Sequence, residues 1–158
     1  MKLSTRTDLD LSAEALFAAL TDERYFEQIA RRNGVTVTRH GPEPQMGPGS
    51  GWEITFPHRG KTRRLTSALK RIEPPHTLEF SGESSGFDLA LDMRLLPMSA
   101  DSTRIIAAID IRPRTFGARI ILQTLKIGKG RLESRFNARL RALGRALQAK
   151  VGAETRQA

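Results

Sequence analysis

The chain contains no cysteine, which excludes disulfides, thiolate zinc sites and a cysteine nucleophile. It has one tryptophan and one tyrosine, so its basic residues are not interleaved with the aromatics that stack on exposed bases. No apolar run approaches the roughly 20 residues that cross a bilayer. The start, Met1-Lys2-Leu3-Ser4, runs at once into Arg6, Asp8 and Asp10 and lacks the pattern of a signal peptide. A reducing, cytoplasmic compartment is the expectation. Acidic residues are scarce in one place only. Residues 1–113 hold fifteen Lys/Arg and fifteen Asp/Glu, whereas residues 114–158 hold eleven Lys/Arg against Glu133 and Glu154. The net charge of +9 therefore resides entirely in the last part of the chain.

What remains is an ordinary soluble composition, 39% hydrophobic and 27% charged over 158 residues, enough for one domain over 1–158 with its own core. Leu3, Thr5, Thr7, Leu9 and Leu11 alternate with polar residues, the period of a half-buried strand. Ser12 caps a short helix to Leu20, and Asp22 caps a second that ends at Asn33-Gly34. Strand alternation then returns around Val35–Arg39, Trp52–Phe56, Leu65–Leu69, Leu78–Phe80, Phe87–Leu95 and Thr103–Ile111. The breaks between them are GPEPQMGPGSG (41–51), His58-Arg59-Gly60, Pro74-Pro75, Gly82–Gly86 and Ser99–Ser102. After Thr115 the pattern is helical. Leu125, Leu132, Phe136, Leu140, Leu143, Leu147 and Val151 form one apolar stripe, with Gly128 and Gly130 bending the helix ahead of the basic stretch. Leu132, Phe136, Leu140, Leu143 and Leu147 are expected to be buried, and Arg131, Arg135, Arg141 and Arg145 to face solvent. A sheet with one apolar face needs a cover, and this stripe is long enough to supply it.

The segments DLDLSAEALFAALTDERYFEQIARR and KRIEPPHTLEF, with the closing helix, resemble the START/polyketide-cyclase (SRPBCC) superfamily over essentially the full length. The resemblance implies an α+β helix-grip fold. A curved antiparallel sheet of six to seven strands, with two short helices after the first, holds a long C-terminal helix and leaves a cavity between sheet and helix. It also implies binding or transport of a hydrophobic small molecule or lipid. The expected lining is Trp52, Ile54, Phe56, Leu65, Ser67, Phe80, Leu91, Met93, Leu125 and Phe136, residues that alternation alone would assign equally well to a packed core. The alternative is a cyclase or dehydratase acting on an apolar substrate in the same cavity.

Dedicated chemistry is sparse. The glycine-rich loop at 41–51 lacks a Gly-Lys-Ser/Thr ending and joins strand to strand, so it is a connection and no phosphate cradle. His40, His58 and His76 fall at loops and turns without metal-ligand spacing, and no Gly-x-Ser-x-Gly elbow is present. Neither a metal, a cofactor nor a catalytic set is assigned. Thr5, Thr7, Arg63, Ser67 and Thr103 share the inward face by alternation and, with Tyr25, are the polar groups nearest a cavity, although local backbone bonding also accounts for them. The basic residues Arg131, Arg135, Arg141 and Arg145 fit a solvated face; a second role for them is contact with an anionic membrane. Nucleic acid is not an expected partner.

Overall fold

A computed structural model describes residues 1–42 and 45–157. Glu43 and Pro44, inside the expected 41–51 loop, lie outside the described residues. The chain order is β1 (Lys2–Leu9), α1 (Ala13–Leu20), α2 (Glu23–Arg32), β2 (Thr36–His40), β3 (Gly51–His58), β4 (Lys61–Glu73), β5 (Thr77–Ser84), β6 (Phe87–Ser99), β7 (Ser102–Pro113), α3 (Phe116–Ile127) and α4 (Lys129–Gln157). The caps are those the sequence offers. Ser12 Oγ accepts from the Ala15 amide at 3.1 Å and Asp22 Oδ1 from the Tyr25 amide at 3.2 Å, each satisfying a helix-end donor that has no partner within the helix.

The seven strands form one antiparallel sheet in the order β1-β7-β6-β5-β4-β3-β2. After β1, each strand pairs with the next by a simple reversal, and β7 returns to pair with β1. The longest pairing is the β6–β7 hairpin, which runs from Phe87 opposite Pro113 to Ser99 opposite Ser102. Lys70 is the extra residue of a bulge in β4, between Leu69 opposite Phe80 and Arg71 opposite Glu79. Such a bulge sharpens the bend of the strand and here returns Ile72, opposite Leu78, to the inner face. The helix-grip architecture expected from the sequence is the one observed.

Helix α4 lies along β1 and touches α1. A glycine permits that approach: a Cβ on Gly144 would stand 2.6 Å from Leu9 Cδ2, so Leu9 fits into a notch in the helix. Leu9, Leu16, Phe17, Leu20, Ile105, Leu140 and Leu147 pack together there. Each fully buried leucine or isoleucine in this group stabilises the fold by about 1.5–3 kcal/mol relative to exposure.

Three expectations need correction. The C-terminal helix is two helices, because the chain breaks at Gly128, whose amide closes α3 on Leu125 O at 3.1 Å. The Gly82–Gly86 turn is shorter than its glycines suggest. Gly82 stays in β5 opposite Leu89, and only Ser85 (φ 50°) and Gly86 (φ 81°) reverse the chain. Of the apolar residues expected to be buried along α4, Leu140 and Leu147 are, whereas Leu132, Phe136 and Leu143 are half-buried. The cause is that α4 follows the edge strand β1, so part of its stripe meets no strand, while Leu143 faces an unfilled space inside the sheet. Arg131, Arg135, Arg141 and Arg145 are all exposed, as expected.

Candidate functional site: an apolar cavity

Because α4 keeps to β1, the inner faces of β3, β4 and β5 are not filled by it. The space left is a cavity of about 470 Å³, bounded by these strands, by β6 and by α2, with Met46 and Leu143 at its margins. Its size lies within the range of small-molecule sites, roughly 300–1,000 Å³. The strand register builds the walls. Trp52 stands opposite Ser67, Ile54 opposite Leu65, Phe80 opposite Leu91, and Leu78 opposite Met93, so side chains of equal parity share one face. Trp52 and Phe80 meet with ring centroids 5.9 Å apart at 57°.

Seven of the ten residues expected to line a cavity do so: Trp52, Ile54, Leu65, Ser67, Phe80, Leu91 and Met93. Phe56, Leu125 and Phe136 do not. Phe56 pairs with Arg63, one step nearer the hairpin turn than the Ile54–Leu65 pair that ends the lining on β3 and β4. Leu125 belongs to α3, which packs on β7, and Phe136 packs against the core beside β1.

The roof is a face of α2. Glu23, Phe26, Glu27 and Ala30 line the cavity, and their spacing of i, i+3, i+4 and i+7 places them on one side of a helix. That spacing is present in the sequence, but two of its four positions are glutamates, so it shows no apolar stripe. Glu23 is held by Arg39 of β2, Oε1 to Nε at 2.7 Å, with both side chains largely buried. The same guanidinium donates to Gly41 O and to Ser50 Oγ, each at 3.3 Å, and Ser50 is fully buried. This cluster ties α2 to the start and end of the 41–50 loop, bracing one rim of the cavity. The Glu27 carboxylate, four residues on, has no hydrogen bond or ion pair among the described residues.

The other polar candidates are already occupied. Thr5 Oγ1 donates to Asn137 Oδ1 at 2.8 Å, Thr103 Oγ1 to Leu11 O at 2.8 Å and Ser67 Oγ to Ser81 O at 3.1 Å. Of these only Ser67 lines the cavity. Thr7 and Tyr25 are not among the lining residues; Tyr25 packs edge-on to Phe26 with Lys150 5.3 Å from its ring centre. Arg63 stays outside too, with a buried Nε that no acceptor among the described residues reaches. His40, His58 and His76 are all exposed. The interior therefore presents apolar surface, one bonded hydroxyl and, at the α2 roof, carboxylates.

No family model and no curated protein matches the chain. Solved structures do match it. Norcoclaurine synthase from Thalictrum flavum, in complex with dopamine and hydroxybenzaldehyde, aligns with 96% of this chain and 86% of its own at a TM-score of 0.67 and 13% identity. A protein from Rhodobacter sphaeroides aligns with 96% of this chain and 92% of its own at a TM-score of 0.58 and 26% identity. A START superfamily protein from Mycobacterium smegmatis covers 85% of this chain and 95% of its own at a TM-score of 0.56 and 14% identity. The likeness is one of fold.

Proposed function

We propose that this chain, which has the helix-grip fold of the START/polyketide-cyclase superfamily, binds an apolar small molecule or lipid in the cavity beneath α2. The observation that carries the reading is the cavity itself. A partly open space walled by Trp52, Ile54, Leu65, Phe80, Leu91 and Met93 sits beside a closely packed core around Leu16, Ile105 and Leu147. A void of this size lined by apolar side chains forgoes dispersion contacts that a ligand restores. Norcoclaurine synthase, of the same fold, is seen in complex with dopamine and hydroxybenzaldehyde, which supports occupancy by a small molecule with an aromatic ring.

Two measurements test the reading. Native mass spectrometry of protein purified from its own cells should show a retained apolar adduct. Titration with the neutral dye N-phenyl-1-naphthylamine should give saturable emission, which Leu91→Trp weakens by taking up part of the cavity while the protein remains folded. Dye binding unaffected by Leu91→Trp, with no adduct, would overturn it.

An enzymatic reading, cyclisation or dehydration of an apolar substrate, has one observation in its favour: the unpaired Glu27 carboxylate at the roof, a group able to accept a proton from a substrate held beneath it. Under that reading Glu27→Gln leaves dye affinity intact and removes turnover.

A further inference from the structure

Helix α3 is the element that neither the cavity nor the core accounts for. It buries Ala118 and Leu122 against the rest of the protein, yet it also carries four of the large exposed apolar residues of the chain. Phe116 is 78% exposed, Ile120 55%, Ile121 51% and Ile127 90%. At about 100° per residue, Phe116, Ile120 and Ile127 fall within roughly 40° of one another, on the side opposite Ala118 and Leu122. The helix is thus apolar on its inner face and again on its outer one. Isolated exposed leucines and isoleucines are unremarkable, but a contiguous outward apolar face marks a surface that something covers.

The charge around this face indicates what covers it. Between Asp110 and Glu133 there is no acidic residue, whereas Arg112, Arg114, Arg119, Lys126, Lys129 and Arg131 all lie there. Arg114 is 3.0 Å from Asp88, Arg112 is 2.9 Å from Asp110, and Lys129 is 3.8 Å from Glu133. Arg119, Lys126 and Arg131 form no ion pair among the described residues and are exposed. A second copy docked face to face would set these cations against their own counterparts. An anionic bilayer offers the complement to both features at once, acyl chains for the isoleucines and phosphates for the cations.

We propose that α3 is a membrane-docking element, in which Phe116, Ile120 and Ile127 enter the headgroup–acyl boundary of an anionic bilayer and Arg119 and Lys126, with Arg131 from the adjoining first turn of α4, contact lipid phosphates. The contact differs from one made by the basic face of α4, because its affinity comes from buried apolar surface as well as charge and persists at physiological salt. The helix begins against the β5–β6 turn, where a Cβ on Gly86 would lie 3.4 Å from that of Ala118. That hairpin also supplies Gly82 and Leu89 to the cavity, so docking brings the cavity's hairpin end to the lipid surface.

The test is co-sedimentation with vesicles of phosphatidylcholine containing about 30 mol% phosphatidylglycerol, at roughly 0.15 M salt. Wild type should sediment, and Ile120→Ser with Ile127→Ser should lower apparent affinity about tenfold or more. The combination Arg135→Gln, Arg141→Gln and Arg145→Gln should have the smaller effect. In a separate variant that keeps the apolar face, Phe116→Trp, the added emission should shift to the blue and be quenched by brominated acyl chains; this arm carries the test if the serine variant fails to fold. Wild type remaining in the supernatant, equal binding by the folded serine variant, or an unquenched tryptophan overturns the proposal. A wild-type dimer that the serines dissolve also overturns it, by assigning the face to a second copy.

Discussion

The inner face of the sheet is covered in two different ways. Over β1 and the Thr103–Ala107 part of β7 it is packed solid. Ile105 and Leu147 are 0% exposed, and the polar residues turned inward there, Thr5 and Thr103, are bonded to Asn137 and to Leu11 O. Over β3, β4 and β5 the inward residues Trp52, Ile54 and Leu65 are only half-buried, and they face a void. The strands and their alternation are alike in both halves. The difference lies in the cover, since a 29-residue helix lies along β1 and a 10-residue one, with no fully buried residue, roofs the far side. Side-chain periodicity decides which way a residue points, and the path of the covering helix decides whether anything meets it.

The sharpest way to probe that contrast is truncation. Leu147→Ala or Ile105→Ala removes methylenes from the packed half and leaves a new hole, so urea denaturation should show a loss of about 2–5 kcal/mol. The same change in the hollow half, Ile54→Ala or Leu65→Ala, enlarges an existing space and should cost only about 1–2 kcal/mol while changing dye affinity. Equal losses in the two halves would mean that the cavity is closed in solution.

A smaller effect is expected where α2 is anchored to α4. Asp22 caps α2 and also meets Lys150 Nζ at 2.9 Å. Burial raises its pKa, but the bonds from Lys150 and the α2 amides outweigh burial and hold the carboxyl below its usual range. A depressed carboxyl adds stability that is complete above the unfolded-state value near 4 and is lost as pH falls through the lowered folded-state value. Asp22→Ala should therefore cost about 0.5–2 kcal/mol at pH 7, and the gap to wild type should narrow in acid denaturation curves below pH about 4. The smallest effect belongs to the exposed arginines. Replacing Arg131, Arg135, Arg141 and Arg145 by glutamine should alter stability by at most about 1 kcal/mol each in thermal melts.

The strands, both short helices and their caps were legible in the sequence because each is a local pattern, a period of two or a Ser or Asp before an apolar run. The cavity was legible only in part. Trp52 and Leu95 alternate alike with their neighbours, yet one lines a void and the other is 3% exposed, a difference created by α1, which comes from far earlier in the chain and packs on β6. The polar start of β4, Lys61–Arg64, shows no strand pattern because its order comes from pairing with β3. In FGARIILQTLKI the apolar residues surround the helix, so no single stripe separates Ala118 and Leu122 from the exposed Phe116 and Ile127.

The notch at Gly144 also governs how the protein yields to a guest. With Leu9 seated against a helix position that has no side chain, α4 cannot slide by a turn without setting Leu140 or Gln148 where the glycine was, and a close-packed interior does not absorb that volume. One jaw of the grip is therefore fixed. The other is α2, held by the Asp22 contact, the Glu23–Arg39 pair and half-buried side chains. Under the proposed function, a molecule larger than the resting space would be accommodated by α2 lifting on these contacts, and how far it lifts would set which molecules enter.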